Sequence, residues 1–183
     1  MLTFIIILTL VYGFYTGYRR GVIMQVIRLI GYIVSAIVAT KFSAPLSKIV
    51  EMLIPFPSIQ ANSNLVLYNE ATRFLVDQAF YRAITFMFLM LVGWLLTNFI
   101  GTFFTKVIYY DVFKFANHLG GGLVNLLITY GLIFFVLFIL SLIPIEFIQQ
   151  QFVDSPLAYW IVSQTPIVSE AAAQAWLQVN PFR

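Results

Sequence analysis

From Ala83 to Thr105 the chain carries no charged residue. The hydrocarbon core of a bilayer is about 30 Å thick, and a helix needs roughly 17–25 mostly apolar residues to cross it. Three more runs qualify. Leu2–Tyr18 is the shortest, and Val22–Thr40 is closed by Lys41. The fourth covers 119–143, between His118 and Glu146, with Pro144 near its end. In lipid only helices and closed barrels satisfy the backbone, and these unbroken runs lack the alternation of barrel strands. The expected fold is all-α: a polytopic membrane protein with four transmembrane helices, about 2–18, 22–40, 83–105 and 119–143, in a single domain over 1–183.

Composition points the same way. Hydrophobic residues make up 61% of the chain and charged residues 9%, whereas soluble domains run at about 45–50% and about 25%. The net charge of +3 is spread thinly, with no basic run, so nucleic acid is a poor partner and the bilayer itself is the expected one. There are no cysteines and one histidine, His118. Disulfides, thiolate catalysis and multi-histidine metal sites within one chain are excluded. No cofactor is expected. Met1–Tyr18 lacks a basic leader and a small-residue cleavage site, so it reads as a retained helix.

The longest polar interval is Lys41–Arg82. Phe42, Leu46, Ile49, Val50, Leu53 and Ile54 repeat at helical spacing, which predicts a short amphipathic helix at the interface. Pro55-Phe56-Pro57 stops it, Ser58–Asn64 is a polar loop, and from Leu65 a helical pattern resumes toward the third span. In the tail, 144–183, Asp154-Ser155-Pro156 and Thr165-Pro166 each offer a cap ahead of a proline. They predict short helices over about Pro156–Ser163 and Pro166–Val179, with Trp160 and Trp176 at the membrane–water boundary.

Small residues recur every fourth position in the spans. Gly13, Gly17 and Gly21 mark the first, Gly31, Ser35 and Ala39 the second, Gly93, Thr97 and Gly101 the third. Gly120-Gly121-Gly122 open the fourth. Lipid tails are as apolar as leucine, so membrane helices associate where small side chains let backbones approach. These stripes are expected packing surfaces, within the chain or toward another subunit. The first two spans are expected to lie close together as a tight hairpin. Arg19 and Arg20 form its tip, and with Lys106 and Lys114 they assign that end to the cytoplasm. Both termini are then extracytoplasmic.

Few polar residues enter the spans: Gln25, Arg28, Asn98, Asn125 and Thr129. Arg28 lies about 10 Å beyond Gly21 at 1.5 Å per residue, within reach of snorkelling to the interface. Asn98 and Asn125 are expected to bond between helices. All seven carboxylates fall outside the four runs, so the relay of a proton-coupled carrier is missing. No serine elbow, zinc motif or phosphate loop is present, and the chain is not expected to be an enzyme.

Two stretches carry a family likeness. Gly17-Tyr18-Arg19-Arg20-Gly21-Val22-Ile23, followed by Gly31, Ser35, Ala36 and Ala39, resembles the hairpin tip and second helix of the colicin V production protein (CvpA) family. Asn117-His118-Leu119-Gly120-Gly121-Gly122 is similar to that family's start of the fourth helix. Thr3-Phe4 stand where the family often has an aspartate, His118 replaces an arginine, and Asn125 replaces a glycine. The resemblance implies a bacterial inner-membrane protein linked to peptide-toxin production or export and to envelope homeostasis, with no catalytic set to carry over. The expected function is non-enzymatic assistance through helix–helix assembly, with itself or with other membrane proteins. The alternative is a subunit of an oligomeric channel or small-solute transporter, lined by Arg28, Asn98, Asn125 or Thr129.

Overall fold

A computed structural model describes residues 1–56, 65–68, 75–103 and 114–178. The Ser58–Asn64 loop, the continuation of the helical pattern through Glu70–Phe74, Lys106, Asp111 and the tail end at Val179 lie outside these residues. Four long helices, α1 (Leu2–Arg20), α2 (Val22–Leu53), α3 (Val76–Phe103) and α4 (Lys114–Leu142), are followed by three short ones, α5 (Glu146–Val153), α6 (Pro156–Gln164) and α7 (Val168–Trp176). There is no strand among the described residues. All four long helices are long and apolar enough to cross a membrane. Their outward side chains, Phe4, Leu8, Val11, Leu95 and Phe99 among them, are exposed and apolar, as a lipid-facing surface requires.

The helices pair in an order that chain adjacency does not predict. α1 packs mainly on α4, and α2 mainly on α3; α2 and α4 meet between the two pairs. The expected tight hairpin of the first two helices is therefore absent, and α1 and α2 touch little. A single residue, Gly21, joins them at φ 79°, ψ 163°. That left-handed backbone is open to glycine and strained for any residue with a Cβ. It ends one helix and begins the next with no loop between, and it sends each toward a different partner.

α2 also runs further than hydropathy marks. The segment expected as a separate amphipathic helix is its continuation, through Lys41 and past Pro45 to Leu53. Lys41 ends the apolar run but not the backbone hydrogen bonding, because a helix surface accepts a charge. Pro45 removes one N–H only and the helix carries on. Thirty-two residues make a rod of about 48 Å at 1.5 Å per residue, longer than the hydrocarbon core.

At the end of the bundle that holds Met1 the tail and a short piece of the long loop close over the helices. Leu65, Leu67 and Tyr68 are buried there without helical structure, although the sequence predicts a helix from Leu65. They are tied down by polar bonds. Gln149 of α5 accepts from Val66 N at 3.0 Å and donates to the carbonyls of Ser141 (3.0 Å) and Ile143 (2.8 Å). The Tyr68 hydroxyl meets Ser141 Oγ at 2.8 Å. Helix α5 itself is not anticipated by the sequence pattern. α6 begins as expected, with Ser155 capping Ala158 N and Pro156 in its first turn. Thr165 does not cap α7. Its hydroxyl bonds back to Ile161 O and to the Tyr130 hydroxyl, and α7 starts at Val168. Trp176, expected at the boundary, is 4% exposed and packs against Phe86, Phe135 and Phe138. Trp160 remains exposed.

Candidate functional site

Two seams of small residues run through the molecule. In the α1–α4 seam the helices are antiparallel. A Cβ added at Gly13 would strike the Thr129 side chain, and one at Gly17 would strike Asn125 and the Gly121 carbonyl. A Cβ at Gly121 would meet the Gly21 backbone and Gly17 O. The α2–α3 seam repeats the device, with Gly31 against Thr97 and Gly93 against Ser35. Gly101 is looser, its nearest neighbour across the seam being Met24 Sδ at 3.9 Å from an added Cβ. Gly13, Gly17, Gly21 and Gly121 thus meet in one seam, and Gly31, Ser35 and Gly93 in the other. Backbones this close gain dispersion contacts along their length, which is what holds helices together when no water drives them.

Polar side chains lock the first seam. Asn125 Nδ2 donates to Gly13 O and to Thr16 Oγ1 (3.0 Å). Thr129 Oγ1 bonds its own helix at Asn125 O, 2.8 Å. At the tip, His118 Nδ1 lies 2.6 Å from Tyr18 O, an orphan carbonyl at the end of α1. Asn117 Oδ1 accepts from Val22 N at 2.9 Å. Gly21 has no side chain with which to cap α2, and Asn117 supplies the cap from another helix. The two motifs quoted from opposite parts of the chain, around Gly17–Ile23 and Asn117–Gly122, are therefore halves of one joint. Arg19 and Arg20 stand exposed at its outer end, with Arg19 near the Tyr15 ring, 6.0 Å from its centroid.

The remaining intramembrane polar residues lie elsewhere. Asn98 Nδ2 donates to its own helix at Trp94 O (2.7 Å) and reaches Tyr32 Oη of α2 at 3.4 Å. Arg28 is half-buried, and its Nε is enclosed without a partner, a tighter setting than free snorkelling. Gln25 is wholly buried with both amide atoms unpaired. Asn125 and Thr129, read from sequence as possible conduit lining, are filled seam positions. In the sequence Asn117 stands out only by its place in the motif. Its signal was the glycine helix start at Gly21, which leaves N–H groups for some other side chain to take.

This joint is where comparison with known proteins is most informative. The sequence model of the colicin V production protein family matches residues 2–166, spanning both halves of the joint. An uncharacterized transmembrane protein of Bacillus subtilis (strain 168), YshB, is 30% identical over 178 residues, covering 97% of this chain and 98% of its own. No solved structure matches the chain. By the extent of the family match and this full-length likeness, the chain belongs to the colicin V production protein family.

Proposed function

We propose that the chain works in the bacterial cytoplasmic membrane as a non-enzymatic protein that assists peptide-toxin production or export and envelope maintenance. The observation that carries the non-enzymatic part is the engagement of the seam's polar groups. Asn117, His118 and Asn125 each hold a backbone group of a neighbouring helix, so each serves packing. The export and envelope role is supported by family membership alone. Orientation follows the positive-inside rule. Arg19 and Arg20 lie at the end where α3 finishes and α4 starts, and we assign that end to the cytoplasm and both termini to the outside.

Assembly with a second copy or another membrane protein remains part of this reading, but through other surfaces than the stripes. The seams consume Gly13, Gly17, Gly31 and Gly93 within one chain, which leaves the apolar outer faces for partners. The absence of cysteine makes the test direct. Single cysteines at Val11 and Leu95, on exposed faces of α1 and α3, are crosslinked in the native membrane. Partner-linked bands at either position together with loss of toxin export in a deletion strain support the proposal. Monomeric protein throughout, with export unchanged by deletion, refutes it.

A further inference from the structure

Helices α6 and α7 leave the surface at which the tail begins. Depth is read against α1, whose 19 residues make about 28 Å of helix, close to the thickness of the hydrocarbon core. With Arg19 and Arg20 exposed at one surface, Thr3 stands near the other. The Thr3 hydroxyl meets Ser155 Oγ at 2.7 Å, so α6 starts at that surface. It ends at Thr165, whose hydroxyl meets that of Tyr130 at 2.6 Å. Tyr130 follows Thr129, the residue against which Gly13 packs, and Gly13 lies about 15 Å along α1 from Thr3. Ser155 to Thr165 is likewise about 15 Å of helix. The two lengths agree, so α6 descends beside α1 and α4, both of which it touches, to the middle of the bilayer. α7 then climbs back. Its Trp176 ring lies against Phe135 and Phe138, 5.9 and 5.0 Å between centroids. Those two residues stand about 8–12 Å beyond Tyr130, toward the surface where α6 began.

The turn between the two helices has the chemistry of a hydrocarbon setting. Turns in water favour Gly, Asn, Asp and Ser; this one reads Thr165-Pro166-Ile167-Val168. Ile167 is 83% exposed and Val168 36%. Ile167 holds φ 67°, ψ −48°, and Val168 N donates to Pro166 O at 2.7 Å, a strained γ-turn. A β-branched residue is a costly choice for that backbone, and an exposed isoleucine gains nothing from water. In lipid every N–H needs a partner inside the protein. The γ-turn supplies one for Val168, Ser169 N takes Thr165 O at 3.1 Å, and proline has no N–H to satisfy. Tyr159 and Trp160 stand exposed on α6 between the surface and the turn, as an aromatic belt does. Polar side chains are exposed too: Gln164 at the foot of α6, and Glu170 and Gln174 one turn apart on α7. Lipid does not accept such groups, which at membrane depth face protein or a water-filled cavity. We propose that α6 and α7 form a re-entrant hairpin, entering from the Met1 side and turning near the middle of the bilayer. Ile167 faces lipid, while Gln164, Glu170 and Gln174 border water admitted from that side. Beneath that water only about half of the hydrocarbon thickness remains as a barrier. The hairpin goes beyond the export role and does not rest on it.

The chain has no cysteine, so nitroxide labels can be placed singly on the full chain in phosphatidylethanolamine–phosphatidylglycerol vesicles. Spin relaxation by oxygen, which concentrates in lipid, and by a water-soluble nickel chelate then reports depth. Phe147, exposed on α5, calibrates the surface. Val11, exposed on α1 about 12 Å along the helix from Thr3, calibrates the interior. The label at Ile167→Cys is expected to favour oxygen and to read within one helical turn, about 5 Å, of the Val11 depth. Val168→Cys repeats the reading at a second exposed position, should Ile167→Cys disturb the turn. Labels at both tip positions that read with Phe147 would lay the tail flat on the surface and overturn the proposal. Gln164→Cys, a few residues from Ile167 in the chain, is expected to show the reverse preference, for the nickel chelate over oxygen. A Gln164 label shielded from the chelate would refute the water-bordered edge.

Discussion

A methyl group added at Gly17 would collide with Asn125 and with the Gly121 carbonyl of the facing helix. Neither neighbour is a flexible chain end that could move aside cheaply. Gly17→Ala should therefore cost about 1–3 kcal/mol, the usual range for overpacking. Gly131 is the control, since an added Cβ there meets nothing within 4 Å. Gly131→Ala should be neutral or stabilising by up to about 1 kcal/mol through helix propensity. Reversible unfolding in mixed micelles measures both. Tyr68 offers a second test at this scale. Burial pushes its phenol above the usual tyrosine range, against a smaller opposing effect of its hydrogen bond to Ser141. The folded state thus holds its proton more tightly than the unfolded state, which ionises near the ordinary value of about 10. Stability from this group is complete below about pH 10 and falls as pH rises beyond it. Tyr68→Phe should flatten that alkaline decline; a decline of unchanged slope would assign it to other groups.

Among elements, the register of α2 against α3 can be read chemically. Along this seam Gly101, opposite Met24, has room for an added Cβ, whereas Gly93, against Ser35, has none. Gly93→Ala should therefore cost about 1–3 kcal/mol, as overpacking does, while Gly101→Ala should be near neutral, and a slip of one helical turn would change that order in the same unfolding measurement. At the other end of the bundle Gln149 joins α5, the end of α4 and the Leu65–Tyr68 segment through three hydrogen bonds. Gln149→Leu leaves Val66 N and two carbonyls unpaired. It should cost about 2–4 kcal/mol and speed hydrogen exchange at Val66. These elements also show what the sequence reveals. Hydropathy locates the four long helices because lipid demands unbroken apolar length. Four-residue spacing locates their glycine faces because a helix repeats near that period. Spacing names a face without its partner, and chain adjacency named the wrong one for α1. The continuation of α2 was hidden by Lys41, since charge interrupts hydropathy but not helix geometry. Gln149 was illegible for a related reason: a polar residue in a short tail reads as solvated until tertiary structure buries it. Trp176 departs from its expected boundary position because an aromatic suited to an interface suits an aromatic core equally well.

At the scale of the whole molecule, two antiparallel pairs joined by one glycine make a bundle whose halves are each zipped by small residues. The candidate joint was half legible. Both motifs stood out as patterns, yet their meeting across nearly a hundred residues depends on the pairing of α1 with α4, which local sequence does not encode. That pairing has a consequence in time. Translation proceeds at about 5–20 residues per second, so α1 enters the membrane about 5–20 s before α4 is made. For that interval its glycine groove, the Tyr18 carbonyl and the first N–H of α2 lack their final partners. α2 and α3 meet first, and the oldest helix is the last to be clasped. A nascent chain halted before Asn117 would carry an open groove along α1, and its survival would depend on whatever lipid or insertion factor fills that groove until the fourth helix arrives.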